Sequence, residues 1–133
     1  MLSVKKKFEF CYGHHLPDYQ GDCANVHGHN SEVWVEFSPD YRLSDKLSGC
    51  VFSERAGYPG MLIDFKEIKE AVGPIIDQLD HQDLNKILAH PPTAENILIW
   101  IRERIIANTN LGGYLSSISV SETPDSIAVW RRS

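Results

Sequence analysis

Four histidines and a cysteine are crowded near the start of this chain. The segment CANVHGHN, residues 23–30, places His27 and His29 two positions apart and Cys23 four positions before His27. Side chains two positions apart on a strand project from the same face of the sheet. Because a neutral imidazole nitrogen is a donor that zinc prefers, the two histidines could bind one metal ion together with a third ligand.

The third ligand could come from His14 or His15, which end a predicted strand in the segment FCYGHHLP. The spacing of the residues does not choose between the two. A lone His-x-His pair is also found as a surface pair or a hydrogen-bonded polar pair without metal. On the residues alone this alternative stays open.

Cys23 has three possible roles. It could close a structural zinc site as the fourth ligand, lie buried as an inert thiol, or act as a base or nucleophile beside a metal or a histidine. Its polar surroundings, GDCANV, disfavour the buried thiol, and the other two roles stay open. Cys11 and Cys50 are interpreted as structural or incidental.

Two further polar groups could take part in chemistry. In LDHQDLN, Asp80 could orient the ring of His81 and raise its basicity. The simpler interpretation is a histidine that interacts favourably with a helix C-terminus. Glu122, in VSETPD, is either a charge at the end of a hairpin or an anchor for a ligand.

The composition is that of one soluble domain spanning residues 1–133. A net charge of −5 disfavours nucleic acid as a partner, and the absence of an apolar run of 18 residues excludes a membrane span. Three cysteines without a CxxC motif predict no disulfide framework and a cytoplasmic location.

Hydrophobic periodicity predicts the element order β-β-α-α-β-β, an α+β fold. We expect an antiparallel four-stranded sheet with two helices on one face. The predicted strands are 3–12, 29–37, 114–122 and 126–132. Unpaired strand edges and the uncovered face predict a homo-oligomer, in which several sheets close into a barrel. The apolar residues available for that face include Val33, Val35 and Ile118.

The predicted helices begin at capping residues. Asp64 is a suitable N-cap for the first helix, which Gly73-Pro74 should kink or split. Thr93 is the N-cap of the second helix. Residues 38–60 have no convincing period, and we interpret them as a long excursion or a hairpin extension.

Six segments together resemble the 6-pyruvoyl-tetrahydropterin synthase and 6-carboxytetrahydropterin synthase family. They are FCYGHHLP, CANVHGHN, MLIDFKEIK, LDHQDLN, PPTAENILIWI and VSETPDSIAVW. They occur in the family's order along nearly the whole chain, and only residues 38–60, a variable insertion, fall outside. The resemblance implies the tunnelling fold, which has the same β-β-α-α-β-β order.

The resemblance implies an open zinc site with three ligands: His14, His27 and His29. It thereby selects His14 over His15 and assigns Cys23 as the catalytic base. Asp80 and His81 match the remaining members of the family's catalytic triad.

The resemblance also implies where the substrate binds. Glu122 matches the carboxylate that receives the amino-pyrimidine edge of the pterin, where two N–H donors suit an anionic acceptor. Thr93 and Glu95 match a stretch that lines the pterin pocket, although capping explains Thr93 by itself. Gly13 and His15 depart from the family's usual residues, and neither is an implied ligand.

The implied substrate is 7,8-dihydroneopterin triphosphate, and the implied assembly is a hexamer of two stacked trimers with shared active sites. Three residues separate Cys23 from His27. The resemblance gives the same spacing for the bacterial 6-carboxytetrahydropterin enzymes, whereas five residues separate the corresponding cysteine and histidine in the animal-type pyruvoyl enzymes. We therefore expect 6-carboxytetrahydropterin, acetaldehyde and triphosphate, on a queuosine-type pathway. Alternatives are the pyruvoyl reaction and a non-catalytic structural-zinc or pterin-binding module.

Overall fold

The structure is a computed structural model. It describes residues 1–133, except for the side chain of Leu47. Its elements in chain order are β1 (Val4–His14), β2 (His27–Phe37), β3 (Arg42–Ser44), β4 (Cys50–Phe52), α1 (Phe65–Asp77), β5 (Gln82–Asp83), α2 (Ala94–Asn108), β6 (Leu115–Thr123) and β7 (Ser126–Arg131). The observed architecture is α+β, as predicted.

The main sheet has five strands in the order β5-β1-β2-β6-β7, and it is mixed. The prediction of four antiparallel strands is therefore wrong by one strand. β5 pairs in parallel with β1 through Tyr12–Gln82 and Gly13–Asp83. A strand of two residues has no periodicity that a sequence pattern could reveal. It forms because the chain after α1 returns to the edge of β1, where the His81 amide donates to the Cys11 carbonyl at 2.6 Å.

Both helices pack on one face of the sheet, and the core lies between the two layers. Side chains that alternate along the central strands fill this core, among them Phe10, Val33, Val35 and Ile118. The suggestion that Val33, Val35 and Ile118 could lie on the uncovered face is therefore wrong. That face instead exposes other large apolar side chains: Trp34, Ile127 and Val129.

The two helices begin where their capping residues predict. The Asp64 carboxylate accepts from the Lys66 amide at 2.9 Å, and the Thr93 hydroxyl accepts from the Asn96 amide at 3.1 Å. α1 continues through Pro74, so the Gly-Pro pair does not split it.

Residues 38–60 contain a small hairpin outside the main sheet, in which β3 pairs with β4. The interpretation of this segment as a hairpin is confirmed, and the hairpin forms a separate two-stranded sheet. Within the part of the chain that the structure describes, neither helix has the length and apolar character needed to cross a lipid bilayer.

Candidate metal centre and active site

Three histidines converge where β1 and β2 meet at one end of the sheet. His14 pairs directly with His27 across the two strands, and His29 pairs with Tyr12. β1 runs two residues beyond its predicted end, and β2 begins two residues before its predicted start. Because of these extensions, His14, His27 and His29 all lie on strands, with their side chains on the helix-covered face of the sheet.

Two of the three rings use one nitrogen to bind a backbone carbonyl. His14 Nδ1 lies 2.7 Å from the Pro92 oxygen, and His27 Nδ1 lies 2.6 Å from the Asn25 oxygen. An Nδ1–H donated to a carbonyl leaves Nε2 unprotonated in a neutral ring, which is the form that binds a metal.

Glu122 joins this group from β6. It lies at a register shift between Ser121 and Thr123, and its Oε1 is 3.4 Å from His29 Nε2 and 3.6 Å from His14 Nε2. Donor atoms of His14, His27, His29 and Glu122 all lie within 4.8 Å of one another. This His-rich group could hold a metal ion.

Burial favours the neutral form of two of these histidines and leaves one ring nitrogen without a partner in the described part of the chain. Burial lowers the pKa of His14 and of His29 below the usual value for histidine. Among the described side chains, the buried His29 Nε2 has no hydrogen-bond partner. A buried nitrogen without a partner is costly, and a bound cation would remove that cost. Both the ring nitrogens and the carboxylate are ligands that suit zinc.

A second polar group lies around the start of β5. Asp80 Oδ2 is 3.0 Å from His81 Nδ1, while its Oδ1 accepts from the Cys11 amide at 2.9 Å. That amide bond lowers the pKa of Asp80, so the carboxylate is ionised near neutral pH. His81 has a left-handed backbone with φ of 58°, a strained conformation that is enriched at functional sites.

The thiol of Cys11 belongs to this second group, which the sequence interpretation did not include. Donor atoms of Cys11, Asp80 and His81 lie within 4.8 Å of one another, and Cys11 Sγ is 2.9 Å from Asn30 Oδ1. No local motif could reveal the group, because Cys11 and Asp80 are 69 positions apart. All three residues line a cavity of about 660 Å³.

The two polar groups lie on opposite faces of the sheet. Tyr12 and His14 alternate with Cys11 along β1, so the thiol points away from the helices while the metal donors point towards them. Asp80 and His81 accompany Cys11 on the uncovered side.

Cys23 lies in neither group. It is half-buried in a single turn, Asp22–Ala24, within the loop that joins β1 to β2, and its carbonyl accepts from the Leu16 amide at 2.7 Å. Both ends of that loop are histidines of the metal group, His14 and His27. In the described chain Cys23 is not among the clustered metal donors, which gives no support to a structural site closed by this thiol.

The remaining candidate residues lie around α2 and β1. Thr93 follows Pro92, whose carbonyl fixes the ring of His14, and Glu95 is exposed in the first turn of α2. His15 is outside the metal group, and its amide donates to Asn85 Oδ1 at 2.8 Å.

Residues 3–133 match the family described as 6-pyruvoyl tetrahydropterin synthase. The chain belongs to this family. A similar relative is the 6-carboxy-5,6,7,8-tetrahydropterin synthase of Synechocystis, which is 33% identical over 130 residues, covering 96% of this chain and 92% of the relative.

Two further comparisons extend this result. The dihydroneopterin monophosphate aldolase of Pyrococcus furiosus is 47% identical over 91 residues, covering 68% of this chain and 74% of the relative. The structure of the Caenorhabditis elegans 6-pyruvoyl tetrahydropterin synthase has the same fold, with a TM-score of 0.78 at 21% identity over 99% of this chain and 96% of that chain.

Proposed function

We propose that this chain is a zinc-dependent lyase that converts 7,8-dihydroneopterin triphosphate and one water molecule into 6-carboxy-5,6,7,8-tetrahydropterin, acetaldehyde and triphosphate. The observation that carries the proposal is the convergence of three imidazole donors beside one carboxylate, within a chain of the pterin synthase family. The name of the Synechocystis relative supports the choice of product.

His14 and His27 would hold the zinc through Nε2, since their Nδ1 atoms are bound to carbonyls, and His29 would be the third ligand. Bound zinc would supply Lewis-acid polarisation of the substrate's side-chain oxygens, which makes the neighbouring carbon protons easier to remove. The carbonyls of Pro92 and Asn25 fix the orientation of two of the rings, which preorganises the site.

Glu122 would orient the substrate by accepting two N–H bonds from the amino-pyrimidine edge of the pterin. Its position beside the metal donors supports a single site for the pterin ring and its side chain. Thr93 and Glu95 at the start of α2 would line the same pocket, since Thr93 adjoins the carbonyl that fixes His14.

Cys23 would act as the base that removes the side-chain protons. A thiolate is a competent base near neutral pH when a metal or an imidazole lies close to it. His81 would exchange protons with this thiol and the substrate, and Asp80 would hold the ring of His81 in one orientation through the 3.0 Å contact with Nδ1.

The active site would be shared between copies of the chain. Asp80 and His81 lie on the face of the sheet away from the metal donors of their own chain, so they would serve the metal centre of a second copy. The open edge of β7 and the exposed side chains of Trp34 and Val129 offer surfaces for this assembly. We propose the family-type hexamer, a dimer of trimers.

The three-residue spacing between Cys23 and His27 supports the carboxy product over the pyruvoyl product. A shorter connection to the metal ligands holds the thiolate differently against the substrate, which changes the protons it can reach. The pyruvoyl reaction, with triphosphate loss and no carbon–carbon cleavage, is the alternative within the family.

The similarity to the Pyrococcus furiosus protein favours a second candidate, an aldolase that acts on dihydroneopterin monophosphate. Aldol cleavage would use the same residues to bind the pterin and to move a proton. It would leave the phosphate on the two-carbon aldehyde, whereas the proposed reaction releases acetaldehyde free of phosphate.

Product analysis tests these proposals. The zinc-loaded protein is incubated separately with the triphosphate and the monophosphate of dihydroneopterin, and the products are identified by mass spectrometry. We expect turnover of the triphosphate with 6-carboxytetrahydropterin as the pterin product. Turnover of the monophosphate alone would select the aldolase, and turnover of neither would contradict both.

A further inference from the structure

The Glu122 side chain occupies an unusual position for a residue that would only bind substrate. Its Oε1 faces the Nε2 atoms of His29 and His14. The Nδ1 atom of His14 is bound to the Pro92 carbonyl, and when Nδ1 carries the hydrogen, Nε2 presents a lone pair. A carboxylate oxygen beside that lone pair is repelled, unless a cation lies between them.

The distances from Glu122 to two of the histidines are close to those between ligands of one metal ion. Four ligand atoms placed tetrahedrally at 2.0–2.1 Å from zinc lie about 3.3 Å from one another. Glu122 Oε1 is 3.4 Å from His29 Nε2 and 3.6 Å from His14 Nε2. A carboxylate oxygen is also an ordinary zinc ligand.

We propose that Glu122 is the fourth metal ligand in the substrate-free protein and leaves the metal when the pterin ring binds. This inference rests on the proposed function, which gives the same carboxylate to the pterin ring. The two N–H donors of the pterin edge would use both carboxylate oxygens, including the Oε1 atom that faces the metal, so ring binding would compete with metal binding for this side chain.

The exchange would link ring recognition to the metal. If the amino-pyrimidine edge bound the carboxylate, Glu122 would no longer occupy the metal, which would then be accessible to the substrate. A molecule without the pterin ring would meet a closed shell. The chain would therefore select its substrate through the pterin ring, which is distant from the reacting carbon atoms.

Cobalt substitution makes this exchange visible, because the visible absorption of Co²⁺ depends on its ligands. The protein is loaded with Co²⁺ as wild type, Glu122→Gln and Glu122→Ala, with Glu32→Gln as a control. Glu32 lies on β2 with its side chain exposed on the opposite face of the sheet. The probe is a reduced pterin without a side chain, which can occupy the ring site without reaching the metal.

We expect both Glu122 variants to bind Co²⁺ about 10–100-fold more weakly than wild type in chelator competition. The pterin probe should shift the cobalt spectrum of wild type and of Glu32→Gln, and it should leave the spectra of the Glu122 variants unchanged. Equal cobalt affinity and equal spectra in wild type and Glu122→Ala would overturn the inference while leaving the three-histidine site intact. Failure of wild type to bind cobalt at the histidines would instead contradict the proposed metal centre.

Discussion

The Nε2 atoms of His14 and His27 lie 2.9 Å apart, while the Nδ1 atom of each ring is bound to a backbone carbonyl. With both Nδ1 positions donating, two neutral rings present lone pairs to each other, and neither supplies a hydrogen for a bond between them. A shared cation is the simplest way to stabilise this contact in a buried site.

Replacement of either strand-β2 histidine should therefore remove the metal. We expect the purified protein to hold about one zinc per chain, and His27→Ala or His29→Ala to lose it on dialysis because each variant lacks one of the three imidazole ligands. Metal content by mass spectrometry checks this prediction. The exposed His90 provides the control, since His90→Ala should keep its zinc. Full zinc occupancy in both β2 variants would disprove the site.

This part of the site could be predicted from the sequence because its determinants are local. Two histidines separated by one residue must share a face on a strand, whatever the rest of the fold does. The choice of His14 over His15 needed the resemblance to the family. In the structure it follows from alternation along β1, which directs His14 and Tyr12 towards the helices.

Other features could not be predicted because they depend on contacts between distant segments. Val33 and Trp34 are adjacent apolar residues on a strand, and their pattern does not say which of them the helices cover. β5 exists only through its pairing with β1, and Cys11 meets Asp80 and His81 only across that edge. The approach of Glu122 to the histidines likewise depends on the pairing of β6 with β2.

Cys23→Ala should retain zinc and fold while turnover falls by about 10²–10⁴-fold, as expected when a general base is removed. The measurement combines steady-state rates with metal content and circular dichroism. Cys11→Ala is the matched variant, because the Cys11 thiol that it removes lies beside the Asp80–His81 pair of the same chain. A large loss of turnover in Cys11→Ala with none in Cys23→Ala would assign the base to Cys11. Loss of zinc in Cys23→Ala would make that thiol a ligand.

A site shared between copies predicts complementation between inactive variants. His27→Ala lacks a metal donor and His81→Ala lacks the proton-transfer group, so each should be inactive alone. When the two variants are refolded together, random assembly should make about a quarter of the sites intact. A mixture of His27→Ala with His29→Ala should stay inactive. No recovery in a mixture that light scattering shows to be oligomeric would place the whole site within one chain.

Glu36 should make stability depend on pH. The Ser3 hydroxyl donates to this carboxylate at 2.7 Å and the Ser117 hydroxyl at 2.9 Å, and the Ser3 bond is the main reason that its pKa is lowered from 4.5. A lowered pKa means that the folded state binds fewer protons, so the contribution is present above pH 4.5 and is lost as pH falls through the folded-state value.

Glu36→Gln should therefore lower the free energy of unfolding at pH 7 by about 1 kcal/mol, with a smaller difference at pH 3. Urea unfolding at both pH values measures this, with the exposed Glu32→Gln as control. A difference that is the same at both pH values would contradict an ionised Glu36 as its source.

The central claim is the identity of the reaction, and an aldehyde trap tests it most directly. The zinc-loaded protein is incubated with 7,8-dihydroneopterin triphosphate and a hydrazine reagent that captures acetaldehyde, and triphosphate release is measured in the same sample. The account predicts acetaldehyde and triphosphate in equal amounts, with 6-carboxytetrahydropterin as the pterin product. Triphosphate released without acetaldehyde would contradict it and identify the pyruvoyl reaction instead.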